Sequence, residues 1–132
     1  MKKDIPIIKV EDIAIAIAPG AETADVWNSY IINMKGKAIQ NVLINSRGYG
    51  ELNGEEKTTT ILRHFFEEIG PNQAVMIEPI MEQLFELTNE YWISFTHEGF
   101  MYDKKFIFVK GSVEAQYFTA IPYLDQKGVM IR

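Results

Sequence analysis

Residues 58–69, TTTILRHFFEEI, decide which kind of protein this chain is. Two periodicities compete there. As an extended segment, 58–66 is rich in Thr, Ile and Phe and is bounded by turn chemistry, Asn53-Gly54 before it and Gly70-Pro71-Asn72 after it. As a helix, the same stretch places Ile61, Phe65 and Ile69 four residues apart on one face. The first reading makes the chain an all-β protein and the second undoes it.

Outward from this stretch, period-two patterning repeats at 10–18, 29–34, 41–46, 74–80, 90–96 and 100–109, so that with 58–66 the chain holds about seven strands. Pro19-Gly20, Lys35-Gly36, Glu98-Gly99 and Lys110-Gly111 separate them. Short strands at even spacing without long helices between them predict an immunoglobulin-like antiparallel β-sandwich. In EPIMEQLFELTNE, Ile80, Leu84 and Leu87 share a helical face and Glu78, Glu82 and Glu86 another, which predicts one short helix over 79–87 with a solvated glutamate row. The tail, 112–132, predicts a helical turn before Pro122 and a final extended GVMI.

The 132 residues fit a single domain, 1–132, long enough to bury about two-thirds of the unfolded surface in one core. Its 47% hydrophobic and 23% charged residues are those of a folded globular chain. A formal charge of −5 repels phosphate backbones and anionic lipid heads, so neither nucleic acid nor membrane is an expected partner. The closest basic pairs are Lys2-Lys3, Lys35/Lys37 and Lys104-Lys105. With zero cysteines there is no disulfide, thiolate metal site or cysteine nucleophile. The early lysines and the apolar run from Ile13 to Ala18 resemble a secretory leader, but Lys9, Glu11 and Asp12 interrupt it and leave less than the roughly 7 to 15 apolar residues a leader needs. It reads as the first strand of a cytoplasmic protein.

Chemistry has few footholds. Asn53-Gly54 is a type I′ hairpin signal, because both central residues of that turn need positive φ. Gly48 and Gly50 then fall in the strand before it, where glycine marks a bulge or a close backbone approach. The functional rival is an anion site of Arg47, Gly48 and Gly50, without the helix and spacing of a phosphate loop and with glutamates following. His64, Glu67 and Glu68 suggest a small metal-dependent or hydrolytic enzyme. His64 and Glu68 are its candidate ligands, short of the set a metal centre needs, and Glu78 or His97 would have to arrive from elsewhere. No nucleophile and base are paired by any motif, so no catalytic residue and no cofactor is assigned.

Apolar residues crowd both faces of several strands. Tyr30, Ile32 and Met34 oppose Ile31, and Trp92 opposes Tyr91, Ile93 and Phe95. A solvent-facing sheet surface is normally polar, so something should cover the second face: the short helix, the tail, through Tyr117, Phe118, Ile121, Tyr123 and Leu124, or a partner. Tyr30, Ile32, Met34 and Trp92 are the interface candidates, for a protein partner or self-association, and the expected function is a non-enzymatic protein-binding module.

Across WNSYIINMKGKAIQNVLINSRGYGELNGEE, LRHFFEEIGPNQAVMIEPI and YWISFTHEGFMYDKKFIF, the chain resembles a family of short bacterial proteins, some of whose members carry the name phenylalanyl-tRNA synthetase alpha subunit. The resemblance spans nearly the whole chain, and the name implies an accessory part in tRNA aminoacylation. The catalytic subunit of that name uses an Arg-x-Glu motif on one strand and a glycine-rich strand leading to an arginine. Here Arg63 is followed by His64 and Phe65, and Arg47 precedes its glycines, so no catalytic residue carries over. The second strand ending in Asn33 and the Gly-Pro-Asn connection at 70–72 are similar to immunoglobulin-like sandwiches.

Overall fold

The computed structural model describes residues 8–132; the Lys2-Lys3 pair lies outside them. The chain is all-β, two antiparallel sheets packed face to face. Its strands are β1 (Ile13–Pro19), β2 (Val26–Asn33), β3 (Ile39–Leu52), β4 (Glu55–Thr58), β5 (Leu62–Ile69), β6 (Gln73–Met81), β7 (Thr88–His97), β8 (Phe100–Phe108), β9 (Thr119–Ile121) and β10 (Gln126–Ile131). The first sheet runs β6-β2-β1-β10-β9. In the second, the long β3 pairs β7 on one side and β4 and β5 on the other, with β8 beyond β7.

The disputed stretch is extended: β5 pairs β3 from Ile39↔Ile69 to Ser46↔Leu62. Each of the seven predicted strands is present, the predicted extended GVMI lies in β10, and β4 and β9 add to them. The predicted helix over 79–87 is not formed. Strand β6 runs through Pro79 to Met81, and only a 3-10 turn, Glu82–Glu86, follows. Proline is accepted because β6 is an edge strand, where a missing N–H breaks no ladder bond. Trp27 holds the turn down through an edge-to-face contact with Phe85, ring centroids 5.1 Å apart, and makes a second edge-to-face contact with Phe118 of the tail. No helix among the described residues is long and apolar enough to cross a membrane.

Alternation sorts the core. Ile13, Ile15 and Ile17 of β1 and Ile31 of β2 face Val42, Ile44, Tyr91, Ile93, Phe95, Phe106 and Phe108 of the second sheet, all buried. The glycines turn the chain as expected: Asn53 (φ 54°) and Gly54 (φ 81°) close the β3–β4 hairpin between Leu52 and Glu55. Asn33 is buried at the other end, its Nδ2 donating to the carbonyls of Lys37, Ile69 and Gly70, and it ties the β2–β3 and β5–β6 connections together.

The tail covers the outer face of the first sheet. Ile121 and Leu124 pack with Tyr30, Ile32, Met34, Ala14, Ala16 and Ala18, leaving Ile32 at 0% exposure. Gly128 permits this closeness, since a Cβ there would strike the Ile17 carbonyl oxygen and lie 2.9 Å from both Ala18 Cβ and Ile121 Cδ1. On the edge strand β8, Lys104 shares the inward parity of Phe106 and is half-buried, with Nζ 5.0 Å from the Phe106 ring centroid.

Candidate functional site

Two places gather polar and reactive groups. The first lies between the sheets. Opposite β2, strand β6 pairs Glu78 with Ser29 but Met76 with Tyr30, so Ile77 is an extra residue and the register shifts. A bulge of this kind re-aims the side chains beyond it. Glu78 consequently turns inward and is 8% exposed, which corrects the expectation that it belongs to a solvated glutamate row; Glu82 and Glu86 are the exposed pair.

The buried carboxylate is surrounded by donors from the opposite sheet. Ser46 Oγ lies 2.8 and 3.0 Å from its two oxygens, the Tyr91 hydroxyl donates to Oε2 at 3.2 Å, and His64 Nε2 sits 2.7 Å from Oε1. A buried carboxylate demands such partners, because an unpaired one is among the costliest groups to desolvate. Burial, followed by the adjacent Glu78 charge, pushes the Tyr91 phenol far above the ordinary tyrosine range, so Tyr91 acts here only as a donor. A cleft of about 240 Å³ opens alongside, lined by Ser46, Glu78 and Tyr91 and by Leu62, Ile80 and Leu84.

Chemically the cluster is a clamp. Ser46 gives its proton to Glu78 and not to His64, so hydroxyl and imidazole are not arranged as nucleophile and base. His64, Glu67 and Glu68 do not converge. His64 points inward to Glu78, Glu67 has the opposite parity, and Glu68 accepts a hydrogen bond from Gln40. His97 is remote from them, bonded to the Ala38 carbonyl. Among the described residues no three His, Asp or Glu side chains gather as a metal would require. The Arg47, Gly48, Gly50 set is likewise split. The Gly48 amide donates to Thr59 Oγ1 at 2.7 Å on the inner side, while Arg47 lies on the outer side, paired with Glu90 at 3.3 Å and stacked on Tyr49. Gly48 does mark a close approach, with Asn89 Oδ1 and Thr59 Cγ2 each 3.2 Å from where its Cβ would be.

The second place is the outer face of the second sheet. Register aligns its side chains in three rows across the strands: Phe65, Leu43, Ser94 and Asp103; then Arg63, Asn45, Trp92 and Lys105; then Arg47, Glu90 and Ile107. Phe65 is 59% and Trp92 43% exposed, and Leu43 and Ile107 are exposed beside them. Lys105 Nζ rests 4.5 Å from the Trp92 ring centroid. Glu90 is buried under this surface beside Arg47.

The four interface candidates therefore do not form one surface. Tyr30, Ile32 and Met34 lie on the first sheet beneath the tail, and Trp92 lies on the second. Alternation showed that Trp92 faced away from its core neighbours, but Phe65, Leu43 and Ile107 joined it only through strand register. In comparisons with family models, curated proteins and solved structures, nothing matched this chain.

Proposed function

We propose that the protein is a non-enzymatic protein-binding module of the cytoplasm, whose contact surface is the outer face of the second sheet. One observation carries this reading: the tail covers the apolar outer face of the first sheet, whereas Phe65, Leu43, Trp92 and Ile107 form a contiguous uncovered group on the second. Exposed apolar side chains gathered on one surface mark contact sites, whereas scattered ones carry no such meaning. An immunoglobulin-like relationship is supported by strand order. Here β1-β2-β6 and β3-β7-β8 stand in the neighbour relations of strands A-B-E and C-F-G, with β10 and β9 added beyond β1. Such a fold hosts many functions, so the reading rests on the surface.

Selection of a random peptide-display library against the purified protein tests it. Enrichment is expected on the wild-type protein and should vanish on the folded double variant Phe65→Ser/Trp92→Ser. Equal enrichment on both, or none on either, removes the outer face as the contact surface.

A further inference from the structure

Building on the outer face as contact surface, we infer that its occupant is an acidic segment of another protein, which seats a carboxylate between Arg63 and Lys105 and lays apolar side chains over Phe65, Leu43 and Ile107. The row Arg63, Asn45, Trp92, Lys105 crosses four strands at one level, with a cation at each end and the indole between. A cleft of about 240 Å³ lies along it, bounded by those four residues together with Arg47 and Glu90.

Its charge is opposite to that of the molecule. Three cations line the cleft against one carboxylate, and that carboxylate, Glu90, is already engaged by Arg47. Neither Arg63 nor Lys105 forms an ion pair among the described residues. On a chain of formal charge −5, this is a local cationic spot in an acidic field, and such complementarity selects partners and speeds their encounter. The Lys105 ammonium is held over Trp92, an arrangement that leaves its protons free to donate. The guanidinium of Arg63 matches a carboxylate in two-point geometry.

The spot is bounded. Asp103 in the adjacent row and Glu67 one row further out, both exposed, share this face. A nucleic-acid strand, charged at every nucleotide, would run from the cations onto these carboxylates. A peptide carries negative charge only where its sequence places it, and its apolar residues can match Phe65, Leu43 and Ile107.

The sequences of library peptides bound by the wild-type protein read this out, followed by fluorescence anisotropy with a labelled synthetic copy of an enriched peptide and its lysine-for-carboxylate counterpart. Enriched peptides should combine Asp or Glu with Leu or Phe. The acidic copy should bind the folded variant Arg63→Glu/Lys105→Glu roughly tenfold or more weakly, and weaken with salt. Enrichment of neutral or basic peptides that still need Phe65 and Trp92 overturns the acidic occupant and leaves the contact surface standing. Oligouridylate binding at low salt that is lost in Arg63→Glu/Lys105→Glu overturns it in favour of nucleic acid. A concentration-dependent dimer abolished by Phe65→Ser/Trp92→Ser overturns it in favour of a second copy. Indifference of every probe to Phe65→Ser/Trp92→Ser removes the surface itself.

Discussion

His64 Nε2 and Glu78 Oε1 meet at 2.7 Å across the gap between the sheets, joining β5 of one to β6 of the other. These strands are consecutive in the chain but do not pair with each other; Gly70-Pro71-Asn72 carries the backbone from one sheet to the next. The side of the sandwich that this crossing leaves without ladder bonds is closed by side chains instead. Ser46 and Tyr91 reinforce the closure from β3 and β7.

Removing the carboxylate should be costly. Glu78→Ala leaves the Ser46, Tyr91 and His64 donors without their acceptor, and a loss of about 3 kcal/mol is expected. Glu78→Gln keeps one oxygen but presents an amide to the same donors, for a loss of about 1–2 kcal/mol. Urea unfolding at neutral pH, read as a lower midpoint at unchanged slope, measures both.

Tyr91 imposes a pH dependence of known sign. Its folded-state phenol is raised, so below the unfolded value of about 10 both states hold the proton and this group adds no slope. Above that pH the unfolded chain releases the proton while the folded chain keeps it, and stability falls by about 1.4 kcal/mol per pH unit. Tyr91→Phe should remove that increment from the slope between pH 10 and 11. In the folded protein, ultraviolet titration of wild type against Tyr91→Phe should find the Tyr91 phenol resistant to ionisation while the chain stays folded.

Gly128→Ala tests the tail. The new methyl meets the Ile17 backbone and Ile121, so β10 cannot keep its pairing with β1 while Ile121 stays packed on the outer face. A loss of about 2 kcal/mol or more is expected, with Ile32 and the β1 alanines opened to water. Greater binding of a hydrophobic dye than by wild type, at temperatures below unfolding, would register it.

Phe65→Ser should behave in the opposite way. The side chain is largely exposed, so the thermal midpoint should reflect a change within about 0.5 kcal/mol, while peptide binding is lost. A large destabilisation would assign Phe65 to packing instead.

Strands announced themselves wherever apolar side chains alternated, as in Ile13, Ile15 and Ile17. Strand β4, Glu55–Thr58, carries no apolar side chain and is exposed throughout, so only its pairing across Asn53-Gly54 makes it a strand. The error at 79–87 came from Ile80, Leu84 and Leu87, which do keep a helical interval; in the structure Ile80 belongs to a strand, Leu84 to a 3-10 turn, and Leu87 to the turn's end. Glu78 was illegible for a different reason. One bulged residue, Ile77, decides whether it faces water or Ser46, and no local pattern reports a bulge in a strand paired to a segment 49 residues away. The cation row at Arg63 and Lys105 likewise needs three strand registers to be seen.

Pro79 on β6 and Lys104 on β8 have a shared effect. Each sits on a strand with an open side, one removing a donor and the other directing a charge inward, and both discourage a further strand from adding there. β9, at the far rim, is three residues long. The edges at β6, β8 and β9 are thereby guarded against adding a strand from another copy, and contact at those rims is steered toward docking broadside.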